Sequence, residues 1–344
     1  MSRFSGSTAL VAAACMAAVF VSSADAGDPR DFDFNLGVWK THVSRLDRPL
    51  SHSTKQLQYD GVSVVSEVWN GRASLIELDV QGPAGRIQGV GLRLYNPRSG
   101  QWNLNWASGS DGVLSPPMIG EFKGGRGEFF DHEVFAGRAI LARNSFSEIG
   151  AASSRFEQAF SADGGRTWEP NWVMTFERTR QPPALAAVPD DASHDFDFDV
   201  GTWNLRASRL RNPLTGSTSW DQLDGKVAVR RIWGGRANLA EVTARGETGE
   251  IELLSLRLYN PQTRQWTMHF ASSDHGTLST PMIGEFKDGR GEFYSVEPYK
   301  DRTILVRFVL MAQTAGSARS EQAFSADGGK TWEINWVNDC TRSR

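Results

Sequence analysis

Cysteine is almost absent: the 344-residue chain holds only Cys15 and Cys340. No disulfide framework can therefore carry the fold. Positive charge is not in excess either. The formal net charge is −3, and no Lys/Arg run follows the pattern that tracks a phosphate backbone, so nucleic acid is not expected as a partner. No apolar run reaches the roughly 20 residues that a bilayer-spanning helix needs, and no membrane span is expected. Nor does any long stretch carry apolar residues at helical spacing, which argues against bundles and parallel α/β folds. What remains is rich in Trp (12) and Gly (34), a mixture suited to short strands joined by tight turns.

The first residues read as an export signal. Arg3 supplies a positive start, Ala9 to Val21 is apolar, and Ala24-Asp25-Ala26 offers a small-x-small cleavage site, with cleavage expected after Ala26. Cys15 is preceded by Ala12-Ala13-Ala14 and followed by further apolar residues, which does not fit a lipoprotein signal. Removal of residues 1–26 leaves Cys340 alone. The expected location is periplasmic or secreted, and the domains must hold by packing.

Sliding the chain against itself exposes a duplication. Asp31-Phe-Asp-Phe34 returns as Asp195-Phe-Asp-Phe198, and Gly37-Val-Trp39 as Gly201-Thr-Trp203. Leu92 to Pro97 returns as Leu256 to Pro261, Pro117 to Lys123 as Pro281 to Lys287, and Glu157 to Gly165 as Glu321 to Gly329. The offset is constant at 164 residues (195 − 31, 321 − 157), and about half the aligned positions are identical without a gap. Thr179 to His194, with Pro182, Pro183, Pro189 and several Ala residues, has a linker composition. The expected domains are 27–178 and 195–344, joined by 179–194.

Within each copy the period is two. Ile76, Leu78 and Val80 alternate with Glu77 and Asp79; Leu92 and Leu94 with Arg93 and Tyr95; Trp102, Leu104 and Trp106 with Asn103 and Asn105. Turn signals such as Asn96-Pro97-Arg98-Ser99-Gly100 and Asp163-Gly164-Gly165 separate the strands. The fold class is all-β, a sandwich or a barrel. A closed barrel removes edges most completely, so two tandem antiparallel β-barrels of about eight to ten strands each are expected.

These residues carry a resemblance. A Phe-rich lead followed by Gly37-x-Trp39 resembles the opening of lipocalin-type (calycin) barrels, where Gly-x-Trp sits on the first strand at the closed end. The whole unit, from Asp-Phe-Asp-Phe-x-x-Gly-x-Trp to the final Trp-x-x-Asn-Trp, resembles bacterial lipocalin-like domains of unknown function, in both copies. The resemblance implies an Arg stacked over that Trp. Arg178 and Arg342 stand where such a partner belongs, the alternative being solvated tail residues.

A second resemblance lies in Ser161-Ala-Asp163-Gly-Gly165-Arg-Thr167-Trp168, repeated at Ser325 to Trp332, which fits the Asp-box. Asp would accept backbone N–H groups of the turn and Trp would pack beneath the hairpin. Sialidase-like propellers carry such boxes, which raises a glycosidase alternative, but a propeller repeats every 40 to 50 residues or so. The box reads as a hairpin staple.

None of the six histidines falls opposite another when the copies are overlaid. An activity belonging to the repeated unit would not use His, which argues against a haem ligand, a Ser-His-Asp triad or a His metal site. No cofactor and no metal are implied. The charged residues common to both copies are Glu77/Glu241, Arg93/Arg257, Glu128/Glu292, Arg143/Arg307, Arg155/Arg319 and Glu157/Glu321. Turned inward they would orient an acidic or hydroxylated ligand or tune a carboxylate for acid-base work; turned outward they would form cross-strand pairs.

The function expected is small-molecule binding, with an apolar or mixed ligand held against aromatic side chains in each barrel. The alternative is an enzyme of the same architecture, a hydrolase, hydratase or isomerase using the Glu/Arg set, and a filled interaction module is a third class. The candidate ligand-binding residues are Tyr95, Trp102, Trp106, Trp172, Arg155 and Glu157 in the first copy, and Tyr259, Trp266, Phe270, Trp336, Arg319 and Glu321 in the second. Apolar parity places Trp102, Leu104, Trp106, Trp168 and Trp172 toward one interior, with Trp106 nearest an opening. Phe270 beside His269 implies a second pocket of different polarity. The oligomeric state is left open.

Overall fold

The computed structural model describes residues 27–109, 111–181 and 193–343. The export-signal reading of 1–26 and most of the linker reading fall outside the described residues.

Alternating apolar residues and frequent turns yield strands throughout. The first copy contains β1 (Gly37–Leu46), β2 (Gln56–Val68), β3 (Ala73–Gly82), β4 (Gly85–Asn96), β5 (Gln101–Ser108), β6 (Met118–Lys123), β7 (Arg126–Phe135), β8 (Arg138–Ser147), β9 (Ser153–Ser161) and β10 (Glu169–Arg178). The second repeats the order as β11 (Gly201–Leu210), β12 (Trp220–Ile232), β13 (Ala237–Gly246), β14 (Gly249–Asn260), β15 (Gln265–Ser272), β16 (Met282–Lys287), β17 (Arg290–Tyr299), β18 (Arg302–Thr314), β19 (Ser317–Ser325) and β20 (Glu333–Arg342). Each set closes into a ten-stranded antiparallel barrel of sequential neighbours. In the first, β1 pairs with both β2 (Val43 with Tyr59) and β10 (Thr41 with Phe176), so neither strand is left as a free edge. Tandem all-β antiparallel barrels are thus the fold.

The closed end explains the Gly-x-Trp element. Trp39 is fully buried, and the Arg178 guanidinium lies 4.2 Å from its ring centroid. Arg178 also donates to the carbonyls of Phe34 (2.9 Å), Leu36 (2.7 Å) and Ala151 (2.8 Å), tying the last strand to the lead segment. Gly37 has φ +114, and a Cβ there would sit 2.8 Å from Arg178 Nη1, so only glycine leaves room. Arg342 repeats the arrangement over Trp203 at 4.2 Å, which answers the solvated-tail alternative for both arginines. Phe32 plugs the barrel floor, packed edge-on against Trp102 (4.9 Å), Phe122 (5.0 Å) and Phe146 (5.2 Å).

The barrels pack side by side. One buried cluster joins Val68, Trp69, Ala73, Leu75, Val90, Leu92, Leu94 and Ala107 to Ile232, Trp233, Ala237, Leu239, Leu254, Leu256, Leu258 and Ala271. Each member has its counterpart at the same position of the other copy, as in a twofold, isologous contact. The polar contacts are reciprocal too: the Trp233 N–H donates to Glu77 Oε2 at 2.6 Å, and the Trp69 N–H to Glu241.

This contact decides the faces of β4. Alternation separates Leu92 and Leu94 from Arg93 and Tyr95 without fixing which pair enters the barrel. In the structure Arg93 and Tyr95 turn inward, and Leu92 and Leu94 face outward, because the outer face is covered by the second barrel and is itself a core.

Candidate functional site

The interior of the first barrel is lined by Ile76 and Leu78 of β3, Leu104 and Trp106 of β5, Met118 of β6, Phe146 of β8, Phe156 of β9, and Trp172 and Met174 of β10. These walls enclose a cavity of about 350 Å³, at the lower end of the range for small-molecule pockets. It opens past Trp106, Gln158 and Trp172 into a wider mouth of about 810 Å³ rimmed by Arg45, Arg48, Arg86, Gln88, Phe135 and Phe160. The Trp106 ring lies across β4: a Cβ at Gly89 would come within 2.0 Å of it. In the second barrel these two positions are Leu253 and Phe270, so the large ring and the missing side chain go together.

Polar residues interrupt the apolar wall, among them Arg93, Glu133, Asn144 and Gln158, with Asn105 and Ser115 also in the lining. Arg93 is buried against the floor, its guanidinium 4.3 Å from the Phe32 ring centroid and 5.3 Å from that of Phe146. Its side chain donates from Nη1 to Asn35 Oδ1 (2.9 Å), and among the described residues no carboxylate pairs with it. Burial without a counter-charge pulls its pKa down to about 9. In the second barrel Asn35 is replaced by Asp199, whose carboxylate forms a buried ion pair with Arg257.

Higher on β7, Asp131 and Glu133 point inward with Phe129. Both carboxylate oxygens of Asp131 are buried without a partner among the described residues, and desolvation, helped by Glu133, pushes its pKa up to about 7. Burial also raises Glu133. The second barrel has Ser295 in place of Asp131, and its Oγ donates to Glu297 Oε1 at 2.6 Å.

Of the residues singled out from the sequence, Trp106 and Trp172 line the cavity. Trp102 and Tyr95 also point inward but belong to the closed end, their rings 5.5 Å apart, with the Tyr95 hydroxyl donating to the Gly27 carbonyl (2.6 Å). Trp266 and Tyr259 pack likewise in the second barrel, 5.2 Å apart. Phe270 lies 5.5 Å from Phe308, which stands where Asn144 lines the first cavity. Trp336 donates to Asn338 Oδ1 at 2.8 Å, and Asn338 to Ser320 Oγ at 2.9 Å. This network has Met174 and Phe156 as its counterparts in the first barrel.

Three expectations are corrected. Arg155 and Glu157 alternate with the inward Phe156 and Gln158 and pair with each other on the outer face at 3.0 Å. Arg319 and Glu321 do the same at 2.8 Å. Of the six charged pairs common to both copies, Arg93/Arg257 alone turns inward; Glu77 and Glu241 serve the barrel contact, and Arg143 stacks over Trp168 at 4.7 Å outside. Trp168 is outside as well. A bulge at Asn171, between Pro170 and Trp172, shifts the register so that Trp172 points in while Trp168 packs against Phe130 at 6.2 Å. His269 stands on the outward side of β15, opposite Leu256, and is no neighbour of the second interior; burial lowers its pKa to about 4.

The residues missed by sequence reasoning are Asn35, Asp131, Glu133, Asn144 and Gln158. The one signal available was the exchange of Asn35 for Asp199 beside an unchanged Arg93/Arg257.

No family model matches the sequence, and no curated protein does. Among solved structures, the S-type phycobiliprotein lyase of Guillardia theta is 10% identical, with 43% of this chain and 90% of that chain covered, at a TM-score of 0.32. A protein of unknown function of the DUF3598 family from Nostoc punctiforme is 11% identical, with 92% of this chain and 98% of that chain covered, at a TM-score of 0.25.

Proposed function

We propose that the chain is an exported small-molecule-binding protein whose first barrel holds one compact ligand with a largely apolar body. The observation that carries this reading is the cavity of about 350 Å³, walled by Trp106, Trp172 and aliphatic, Met and Phe side chains, with a mouth through which a ligand can enter. Export rests on the N-terminal Arg3, apolar stretch and Ala24-Asp25-Ala26. The enzymatic alternative built on Arg155 and Glu157 has those residues paired on the outer face, away from the cavity.

Native mass spectrometry of protein purified from its own host should reveal a retained mass. Titration with N-phenyl-1-naphthylamine, a neutral apolar probe, should shift the intrinsic Trp fluorescence. The response should fall at least several-fold in Trp106→Ala and persist in Trp39→Phe, since Trp39 is sealed beneath Arg178. An unchanged response in Trp106→Ala would remove the assignment.

A further inference from the structure

We infer that the ligand of the first barrel carries a carboxylate, which enters the cavity head first and supplies the counter-ion that Arg93 lacks. The inference rests on the small-molecule-binding reading and names the chemistry of its ligand. Its starting point is the comparison of the two copies. Both bury an arginine at the same position of the fourth strand, Arg93 and Arg257, stacked on the floor phenylalanines Phe32 and Phe196 at 4.3 and 4.6 Å. The second copy neutralises its arginine from within, through Asp199. The first has Asn35 at that place, a neutral acceptor at 2.9 Å.

A buried guanidinium without a carboxylate costs stability unless something else brings the negative charge. The cavity opens onto Arg93, and the described residues that share its wall offer no ion pair to it. Asn35 Nδ2 is a further buried donor without a partner among the described residues. A planar carboxylate suits a guanidinium, which can donate two parallel N–H groups to it, while the apolar walls above suit a hydrocarbon or aromatic body. Glu133 and Asp131 lie farther along the barrel, on the last part of β7 toward Phe135 at the mouth. At the mouth, Arg86 is already paired with Asp79 and Arg45 stacks over Trp172, and an acid held outward beside them would leave Arg93 without a counter-ion.

The test compares decanoate with decanamide, which share length and apolar body, by isothermal titration calorimetry at pH 7.5 on the full chain and on Asn35→Asp. That substitution installs the pair already present in the second barrel, so folding is retained, and the variant should melt no lower than the parent. In the parent, decanoate should bind at least tenfold more tightly than decanamide. In Asn35→Asp that preference should vanish while decanamide binding changes less than twofold. Equal binding of acid and amide to the parent, or an unchanged preference in Asn35→Asp, would overturn the carboxylate while leaving the cavity reading intact. Binding of neither compound, together with no response to N-phenyl-1-naphthylamine, would overturn both.

Discussion

At the scale of single residues, the first barrel holds polar groups that its own fold does not satisfy, and Asp131 is the one whose consequence is easiest to measure. Its carboxyl is raised from the ordinary carboxylate range to about 7 by burial, with Glu133 adding to the effect. The folded state therefore holds a proton that the unfolded chain releases near pH 4, and stability must fall as pH rises between about 4 and 7. Asp131→Asn has no proton to lose. It should match the parent at pH 4 and be more stable above pH 7, by roughly 1–3 kcal/mol after allowance for partial solvation. Thermal melts at pH 4, 6 and 8 check this, and a difference independent of pH would contradict it. Nothing in the sequence marks Asp131. It sits in Asp131-His-Glu133, three polar residues in a row, where alternation gives no parity and only the pairing of β7 with β8 decides which side chains enter the barrel.

At the scale of elements, period-two reading succeeded where one face was apolar and the other polar, as in β3 and β5, whose Ile76, Leu78, Trp102 and Trp106 all point inward. It could not decide β4, where both faces are buried, and it failed at β10, where the bulge at Asn171 breaks parity between Trp168 and Trp172. In the hairpin before that bulge, Asp163 accepts from the turn. Asp163 Oδ1 accepts the N–H groups of Arg166 and Thr167, both at 3.0 Å, while Oδ2 accepts the Thr167 hydroxyl at 2.7 Å. The Thr167 hydroxyl and backbone bonds, and then Ser161, hold the Asp163 carboxyl well below its ordinary range. A depressed carboxylate contributes stability above the unfolded value near 4, and the contribution disappears as pH falls below it. Asp163→Asn should thus lower the melting temperature at pH 7 by a few degrees, with the gap closing toward pH 2. Asp163 does not line the cavity, so probe binding should be unchanged. Loss of binding at an unaltered melting temperature would show that the hairpin belongs to the site rather than to the scaffold.

At the scale of the whole molecule, the duplication has produced two barrels that serve as each other's covering. The repeat offset made two barrels legible, but not their contact, because an apolar outer face and an apolar inner face look alike in a strand of period two. The contact consists of equivalent positions from both copies, with Trp69, Leu75, Leu92 and Leu94 matched by Trp233, Leu239, Leu256 and Leu258. Such a surface is complementary to itself. Residues 27–181 produced alone would expose it, an apolar patch of the kind that monomers rarely leave bare, and should pair through the same faces into a twofold dimer. That dimer should be weaker than the natural arrangement for two reasons. Tethering gives the two barrels of one chain a high effective concentration. In addition, the Arg72–Glu252 ion pair has no equivalent, since the first copy carries Gln88 where the second has Glu252. Sedimentation velocity should therefore show a monomer–dimer equilibrium in the micromolar range. Leu92→Asp, which places a charge at the centre of the patch, should shift it to monomer while the β-barrel circular dichroism is kept. A stable monomer without that substitution would mean that the barrel contact contributes little, and that the side-by-side arrangement depends on the chain connecting the two copies.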